Sequence, residues 1–348
     1  MKNTVALALR EGFHKWAKAG LKAFASYDYR TYTLVDTLDA TQPRRWETYK
    51  ESTLSIGGEL AKREGHLLHY RAFGELGMAG DESGAYHLEG TADLNVPLLG
   101  DTVRLEGKAF IKHERPVFYL RHFHGKHYWW DDDLDMITRT RVEGSLTFDK
   151  LGTKFFAGAE LVKNYTYLAN TGEAVTDASG DVSSYLDNAA VRQYDDDLKV
   201  FTLMWQQKLH AGIFHLDFDV AYQKSSNQDV LPLPDLNVYG NLYLQAGLAK
   251  KVLTVELGAD VRYFSKYYAP DYSPAIGQYY NQNADNRIEI GGYPIVNLYV
   301  NFHLKRTRFF LQWYHFNQGS GNAMAFLAPH YPINPKMIKF GLSWNFFD

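Results

Sequence analysis

The last dozen residues of the chain, Met337 to Asp348, alternate without a break: Ile338, Phe340, Leu342, Trp344 and Phe346 fall on one side, and Lys339, Gly341, Ser343 and Asn345 on the other. Successive side chains of a strand point to opposite faces, so a period of two over this length specifies a strand with one greasy and one hydrophilic face. A chain that ends on such a strand, with aromatics at its tip, satisfies both faces by closing a barrel with hydrocarbon outside and water inside.

The same period recurs along the chain. Leu253, Val255, Leu257, Ala259, Val261 and Tyr263 interleave with Thr254, Glu256, Gly258, Asp260 and Arg262, and Phe214, Leu216, Phe218, Val220 and Tyr222 interleave with His215, Asp217 and Asp219. Strands are predicted over 18–34, 48–64, 66–79, 85–99, 101–116, 135–149, 152–168, 191–207, 210–225, 235–250, 252–268, 294–305, 307–318 and 336–347. The fold expected is all-β, an antiparallel transmembrane β-barrel of about 14 to 16 strands occupying residues 18–348. Connections near Gly65, Gly100, Leu151, Leu209, Lys251 and Arg306 are short, whereas those at 35–47, 117–134, 169–190, 226–234, 269–293 and 319–335 are long. Membrane barrels have this asymmetry, with short periplasmic turns and long outer loops. Prolines lie in the long loops or at strand ends, where no ladder hydrogen bond is lost. Aromatics gather near strand ends as two girdles, Phe148, Trp205, Trp344 and Phe346 at one end and Tyr165, Tyr222, Tyr263 and Trp313 at the other.

A mean hydropathy of -0.36 fits this reading, because the apolar set occupies only every second position. No run approaches the roughly 18 apolar residues that a membrane helix needs. The absence of Cys excludes disulfide frameworks, thiolate metal sites and cysteine nucleophiles, and a net charge of -3 gives no signal for nucleic acid. Residues 1–17 admit two readings. Val5, Leu7 and Leu9 alternate like an incoming strand, while Leu9, Phe13 and Trp16 could line a short helix. Arg10 and Glu11 interrupt the opening apolar residues too early for a signal peptide, so the chain is expected to be a fragment lacking upstream sequence.

Three blocks are more specific than the alternation: Leu9-Arg10-Glu11-Gly12-Phe13-His14-Lys15-Trp16-Ala17-Lys18-Ala19-Gly20-Leu21, Phe118-Tyr119-Leu120-Arg121-His122-Phe123-His124-Gly125 with Trp129-Trp130, and Tyr331-Pro332-Ile333-Asn334-Pro335. In these the chain resembles the C-terminal barrel part of the putative porin family of Bacteroidetes outer membranes, over nearly its whole length. The resemblance implies a Gram-negative outer-membrane location and a barrel architecture.

If the alternation is right, Arg71, Arg104, Glu106, Lys108, Lys112, Arg141, Glu143, Glu160, Asp217, Asp219, Glu256, Asp260, Arg262 and Lys339 line the pore, alongside Lys22, Arg30, Arg308, Asp28, Glu59, Glu75, Glu89 and Asp93. Desolvating so many charges would cost several kcal/mol each, so they must face water or pair across a filled lumen. The loop around residues 113–135 is the most unusual segment. His122, His124, His127, Trp129 and Trp130 are expected to form a constriction at the mouth, the two indoles offering flat faces to a sugar or other ligand. His-x-His-x-x-His beside Asp131, Asp132 and Asp133 has metal-ligand types but matches no defined spacing, and a second aspartate triplet, Asp195 to Asp197, reads as a solvated rim. Tyr272, Tyr279, Tyr280 and Tyr293 could contact ligand or pack their loop down.

No Gly-rich phosphate loop, zinc motif or nucleophile elbow is present, and His315, read as the one outward histidine, has no serine at its level. No enzyme activity and no cofactor are expected. The function expected is passive diffusion of small hydrophilic solutes or ions. The alternative is a plugged barrel acting as anchor or interaction partner for an upstream domain or surface complex. Partners expected are outer-membrane lipid and the solutes, with a homo-oligomer suggested by analogy.

Overall fold

The computed structural model describes residues 1–15, 17–36, 45–98, 100–321 and 325–346. Trp16 of the short-helix reading and Phe347 of the last predicted strand lie outside the described residues.

Fifteen strands form one antiparallel sheet in which each strand pairs with the next along the chain. They are β1 (Lys2–Leu9), β2 (Gly20–Val35), β3 (Trp46–Lys62), β4 (Leu68–Gly80), β5 (Tyr86–Leu98), β6 (Asp101–Glu114), β7 (Ile137–Phe148), β8 (Thr153–Lys163), β9 (Leu198–Ala211), β10 (Phe214–Ser225), β11 (Leu236–Leu248), β12 (Leu253–Phe264), β13 (Ile295–Leu304), β14 (Thr307–Tyr314) and β15 (Met337–Trp344). Of the two readings for the first residues, the strand is what forms: Lys2 to Leu9 pair with Asp28 to Leu21. The Met1 amino group donates to Tyr29 O at 2.6 Å, so the first residue lies partway along β2. Among the described residues β1 pairs only with β2 and β15 only with β14, which makes them the edges of the sheet.

Register carries the alternation from strand to strand. Phe309, Leu311 and Trp313 stand opposite Leu342, Phe340 and Ile338, and in the next pairing Phe302, Val300 and Leu298 stand opposite Phe309, Leu311 and Trp313. A one-residue slip would invert every side chain, so a continuous apolar row across strands fixes the register. This face is the exposed one: Phe340 is 83% accessible and Leu257 57%. Buried apolar clusters lie instead around the long connections, one on Tyr128, Ala189 and Tyr280 and another on Val162, Leu198 and Val230. A protein whose apolar surface is outside its wall has hydrocarbon as its solvent there.

The expected short turns form, and the one expected near Leu209 lies a few residues on, because Leu209 still pairs with Leu216. Ala211 pairs with Phe214 across Gly212 and Ile213, and Gly212 takes φ +62°, a conformation that glycine adopts at no steric cost. One outer connection, Asp81–Ala85 between β4 and β5, is short and departs from the expected asymmetry.

Two predicted strands stop early. Instead of running over 152–168 and 191–207, the β8–β9 pairing ends at Val162 opposite Leu198 and resumes as a separate ribbon with Tyr165 opposite Tyr194. Asn164 sits at φ +55°, and two residues on one side of this break face three on the other, so the ladder cannot continue straight. Tyr165 is consequently not a girdle residue, and it packs against Val162, Leu198 and Val230. His315 is not outward either. It is 2% accessible just beyond β14, with its Nε2 2.9 Å from the Tyr293 hydroxyl and its amide donating to Asn297 Oδ1.

Candidate functional site

The face opposite the apolar one holds the charges. Pairing partners such as Arg71 and Thr91, Lys108 and Glu143, Arg141 and Glu160, Asp217 and Asn241, and Lys339 and Gln312 put the fourteen residues expected at the pore on this single face. Their surroundings divide the wall into two sectors.

From β3 to β8 the carboxylates are held by cations on the same or nearby strands. Arg71 Nε reaches Glu59 at 2.9 Å and its Nη1 reaches Glu89 at 2.6 Å, with Lys108 Nζ 3.1 Å from the same Glu89. Arg141 bridges Glu143 at 2.6 Å and Glu160 at 3.3 Å, and Arg139 reaches Glu160 at 2.6 Å. Glu106 accepts from Ser145 at 2.7 Å with Lys154 3.6 Å away, Arg104 lies 3.4 Å from Asp149, and Lys112 pairs with Glu114. These groups are partly accessible, so each pair contributes at most about 1 kcal/mol. Their effect is to hold many charges on a wall without burying them.

From β9 to β13 neutral amides take over. Asp219 accepts from Gln206 at 3.1 Å, Asp260 from Asn297 at 2.9 Å, and Glu256 from Gln245 at 2.9 Å and Asn301 at 3.1 Å. The expected pore cation of this sector, Arg262, lies over a ring, 5.7 Å from the Tyr239 centroid, and so does Lys339 on β15, 3.7 Å from that of Tyr314. Two further tyrosines, Tyr243 and Tyr299, close over Gly258, where a Cβ would come within 2.7 Å of both. Arg139 shares the parity of Arg141, and that alone could have marked it from sequence. The amide partners carry no such signal, since Asn and Gln suit either a wall or a turn.

The connection after β6 folds inward. Phe118–Arg121 forms one helical turn whose Phe118 ring stacks on Tyr32 with centroids 3.7 Å apart and meets Tyr49 edge-on at 5.4 Å. Arg121 donates to Glu51 on β3 and, through Nε, to Pro116 O at 2.8 Å. This ion pair differs from those on the wall in that both side chains are nearly buried, 6% and 12% accessible. Beneath the helical turn lies a polar cavity of about 300 Å³, lined among others by Arg30, Glu51, Glu75, Lys112, Arg115 and Arg121.

The histidines and tryptophans then organise the segment itself. His124 Nδ1 lies 2.8 Å from Val35 O and its Nε2 2.9 Å from Asp131 Oδ2, while His122 Nδ1 lies 2.8 Å from Asp131 Oδ1. Trp129 stacks on His124 at 3.7 Å and Trp130 on Phe123 at 4.7 Å, so one face of each indole is already taken. His127 is exposed. Among the described residues no group of three or more His, Asp or Glu side chains is arranged to hold a metal ion, the two histidines being turned onto Asp131 instead. At its far end Tyr128 is buried and donates to Asp187 O at 3.3 Å, which ties the segment to the connection between β8 and β9.

Burial pushes the Asp131 carboxyl up, but the hydrogen bonds from His122 and His124 outweigh it and hold the group below the usual carboxylate range. Asp132 is raised, first by burial and then by the charge of Asp131. A depressed folded-state value means that the contribution of Asp131 is fully present above the ordinary carboxylate range and is lost as pH falls through the depressed value. Acid titration of tryptophan fluorescence is therefore expected to show a transition below that range which Asp131→Asn lacks. An identical acid limb in that variant would contradict the assignment.

A family model described as a putative porin matches residues 1–348. Among solved structures, the ferric enterobactin receptor PfeA superposes with a TM-score of 0.63 at 14% identity, covering 98% of this chain and 53% of that one. The siderophore receptor PirA from Pseudomonas aeruginosa gives 0.56 at 13% identity over 90% and 52%, and the copper transporter OprC gives 0.54 at 13% identity over 93% and 53%. The chain thus spans about half the length of these structures. At such identities the likeness concerns the fold, an outer-membrane β-barrel. The curated proteins give no match.

Proposed function

The chain belongs to the putative porin family, and from that premise we propose that it is a channel for passive diffusion of small hydrophilic solutes or ions, narrowed by the segment 117–131. The observation that carries this reading is the segregation of the wall. One face is apolar from β1 to β15, and the other holds fourteen charged positions, most of them in ion pairs or amide hydrogen bonds and two over tyrosine rings, that stay partly accessible. Such a surface is stable only against water, and water at the inner face of a barrel is a path for solutes.

The test is single-channel conductance of the refolded chain in a planar bilayer. Discrete steps with a reversal potential that shifts in a salt gradient are expected. The packing of the segment 117–131 onto other outer loops favours a second reading, a plugged barrel serving as anchor or partner for an upstream domain or surface complex. A silent bilayer despite protease-protected insertion would support that reading over the channel.

A further inference from the structure

We propose that a recess built by three outer loops binds a neutral saccharide. It needs only that the long loops face outward, and it does not depend on conduction. The recess, about 310 Å³, opens between the β8–β9, β12–β13 and β14–β15 connections. That volume is at the lower end for ligand pockets, which run on the order of 300–1,000 Å³.

Its walls carry Tyr185, Tyr272, Tyr280 and Tyr331. The Tyr272 ring meets Tyr331 edge-on, with centroids 5.8 Å apart and an 81° interplanar angle, so the two rings form a corner, and Tyr331 is 45% accessible. Between the rings stand planar polar groups, Asn170, Asn283, Asn286 and Gln282, with the carboxylates of Asp187 and Asp271. Neighbours hold several of these in place. The buried Tyr280 hydroxyl donates to Asp187 Oδ1 at 2.8 Å, Asn170 Oδ1 accepts the Gly172 amide at 2.9 Å, and Asp271 Oδ1 accepts the Tyr272 amide at 2.8 Å.

The lining selects by charge. Among the described residues no Lys or Arg borders the recess. Its one histidine, His330, lies 2.9 Å from Asp271 Oδ2, and Arg287 on the same loop is engaged by Asp229 and the Tyr268 ring. A phosphate or carboxylate ligand would face two carboxylates with no cation to offset them. A purely apolar ligand would strip water from the acceptor sites that Asp187 and Asp271 keep beyond their bonds to Tyr280, Tyr272 and His330, and would put nothing in its place. A polyhydroxylated ring meets both demands, because its hydroxyls donate to carboxylate and amide oxygens while its C–H faces lie on the tyrosines.

The experiment is calorimetric titration of the full chain in detergent with maltohexaose, cellohexaose and xylohexaose as neutral probes and sialyllactose as the anionic one. At least one neutral probe is expected to bind with defined stoichiometry and about tenfold or more tighter than sialyllactose. Tyr331→Ala is expected to weaken that binding about tenfold, the scale of one lost aromatic contact, while Tyr331→Phe retains it. Each variant is checked for the heat-modifiable gel mobility of a folded barrel. Absence of binding by every neutral probe, equal binding of the anionic one, or a folded Tyr331→Ala with unchanged affinity overturns the proposal. A chain that conducts but binds none of the sugars would sink this inference and leave the channel, and one that binds but stays silent would do the reverse.

Discussion

Leu203→Arg is expected to destabilise the barrel by about 2–4 kcal/mol, the cost of a basic side chain on the lipid face near the bilayer midplane. Met204→Arg, one residue on, is expected to stay within about 1 kcal/mol of the parent, because its side chain points to the hydrated face. The contrast follows from register. Leu203 stands opposite Ala157 and Tyr222 on the apolar face, and Met204 opposite Phe156 and Ala221 on the other. Leu203 is 43% accessible midway along β9, so the penalty arises from solvent rather than from a packed core that an arginine would burst. Denaturant unfolding from vesicles reads the difference. Equal costs for the two substitutions would mean that the faces are misassigned.

That the two faces can be told apart at all was legible in the sequence, because burial against lipid acts on each strand separately. The outward set of β12, Leu253 to Tyr263, can be written down without knowing its neighbours, and so can Glu256, Asp260 and Arg262 on its other face. What alternation does not encode is which side chain answers which. Glu256 accepts from Asn301, and Arg71 joins Glu59 to Glu89, through contacts that exist only once strands are in register. Breaks in the ladder were illegible for a related reason. Strand-forming residues continue on both sides of Asn164, but its left-handed backbone and the unequal residue count across the hairpin end the sheet there.

The loops were legible in composition but not in geometry. His122, His124, Trp129 and Trp130 announce an ordered segment, yet the two indoles stack within it, and the contacts that place it on the wall come from Phe118 and Arg121 together with His122 on Tyr49 and His124 on Val35 O. Tyr32, Tyr49 and Glu51 receive it from far earlier in the chain, and no local pattern marks them as a dock. The tyrosine-rich recess is more remote still, since Tyr185, Tyr272 and Tyr331 come together only when three separate connections fold over one another.

Arg121→Ala tests the dock directly. Removing one partner of a buried ion pair leaves the other charge without compensation, at a cost on the order of 3–5 kcal/mol. Here that charge is Glu51, nearly buried beneath the helical turn, and it can recover hydration only if the turn lifts away from β3. The wall itself is held by pairings that do not involve the segment, so the expected response is local undocking with the sheet intact. Limited proteolysis should then cut between Pro116 and Asp133, where the parent resists, and conductance per channel should rise as the segment leaves the lumen. Arg121→Met combined with Glu51→Gln removes both charges and keeps most of the volume. That double variant is expected to restore resistance and the parent conductance, because Phe118 still stacks on Tyr32. Arg121→Ala with unchanged proteolysis and conductance would show that the ion pair does not hold the segment. Undocking without a rise in conductance would show that the segment does not set the bore.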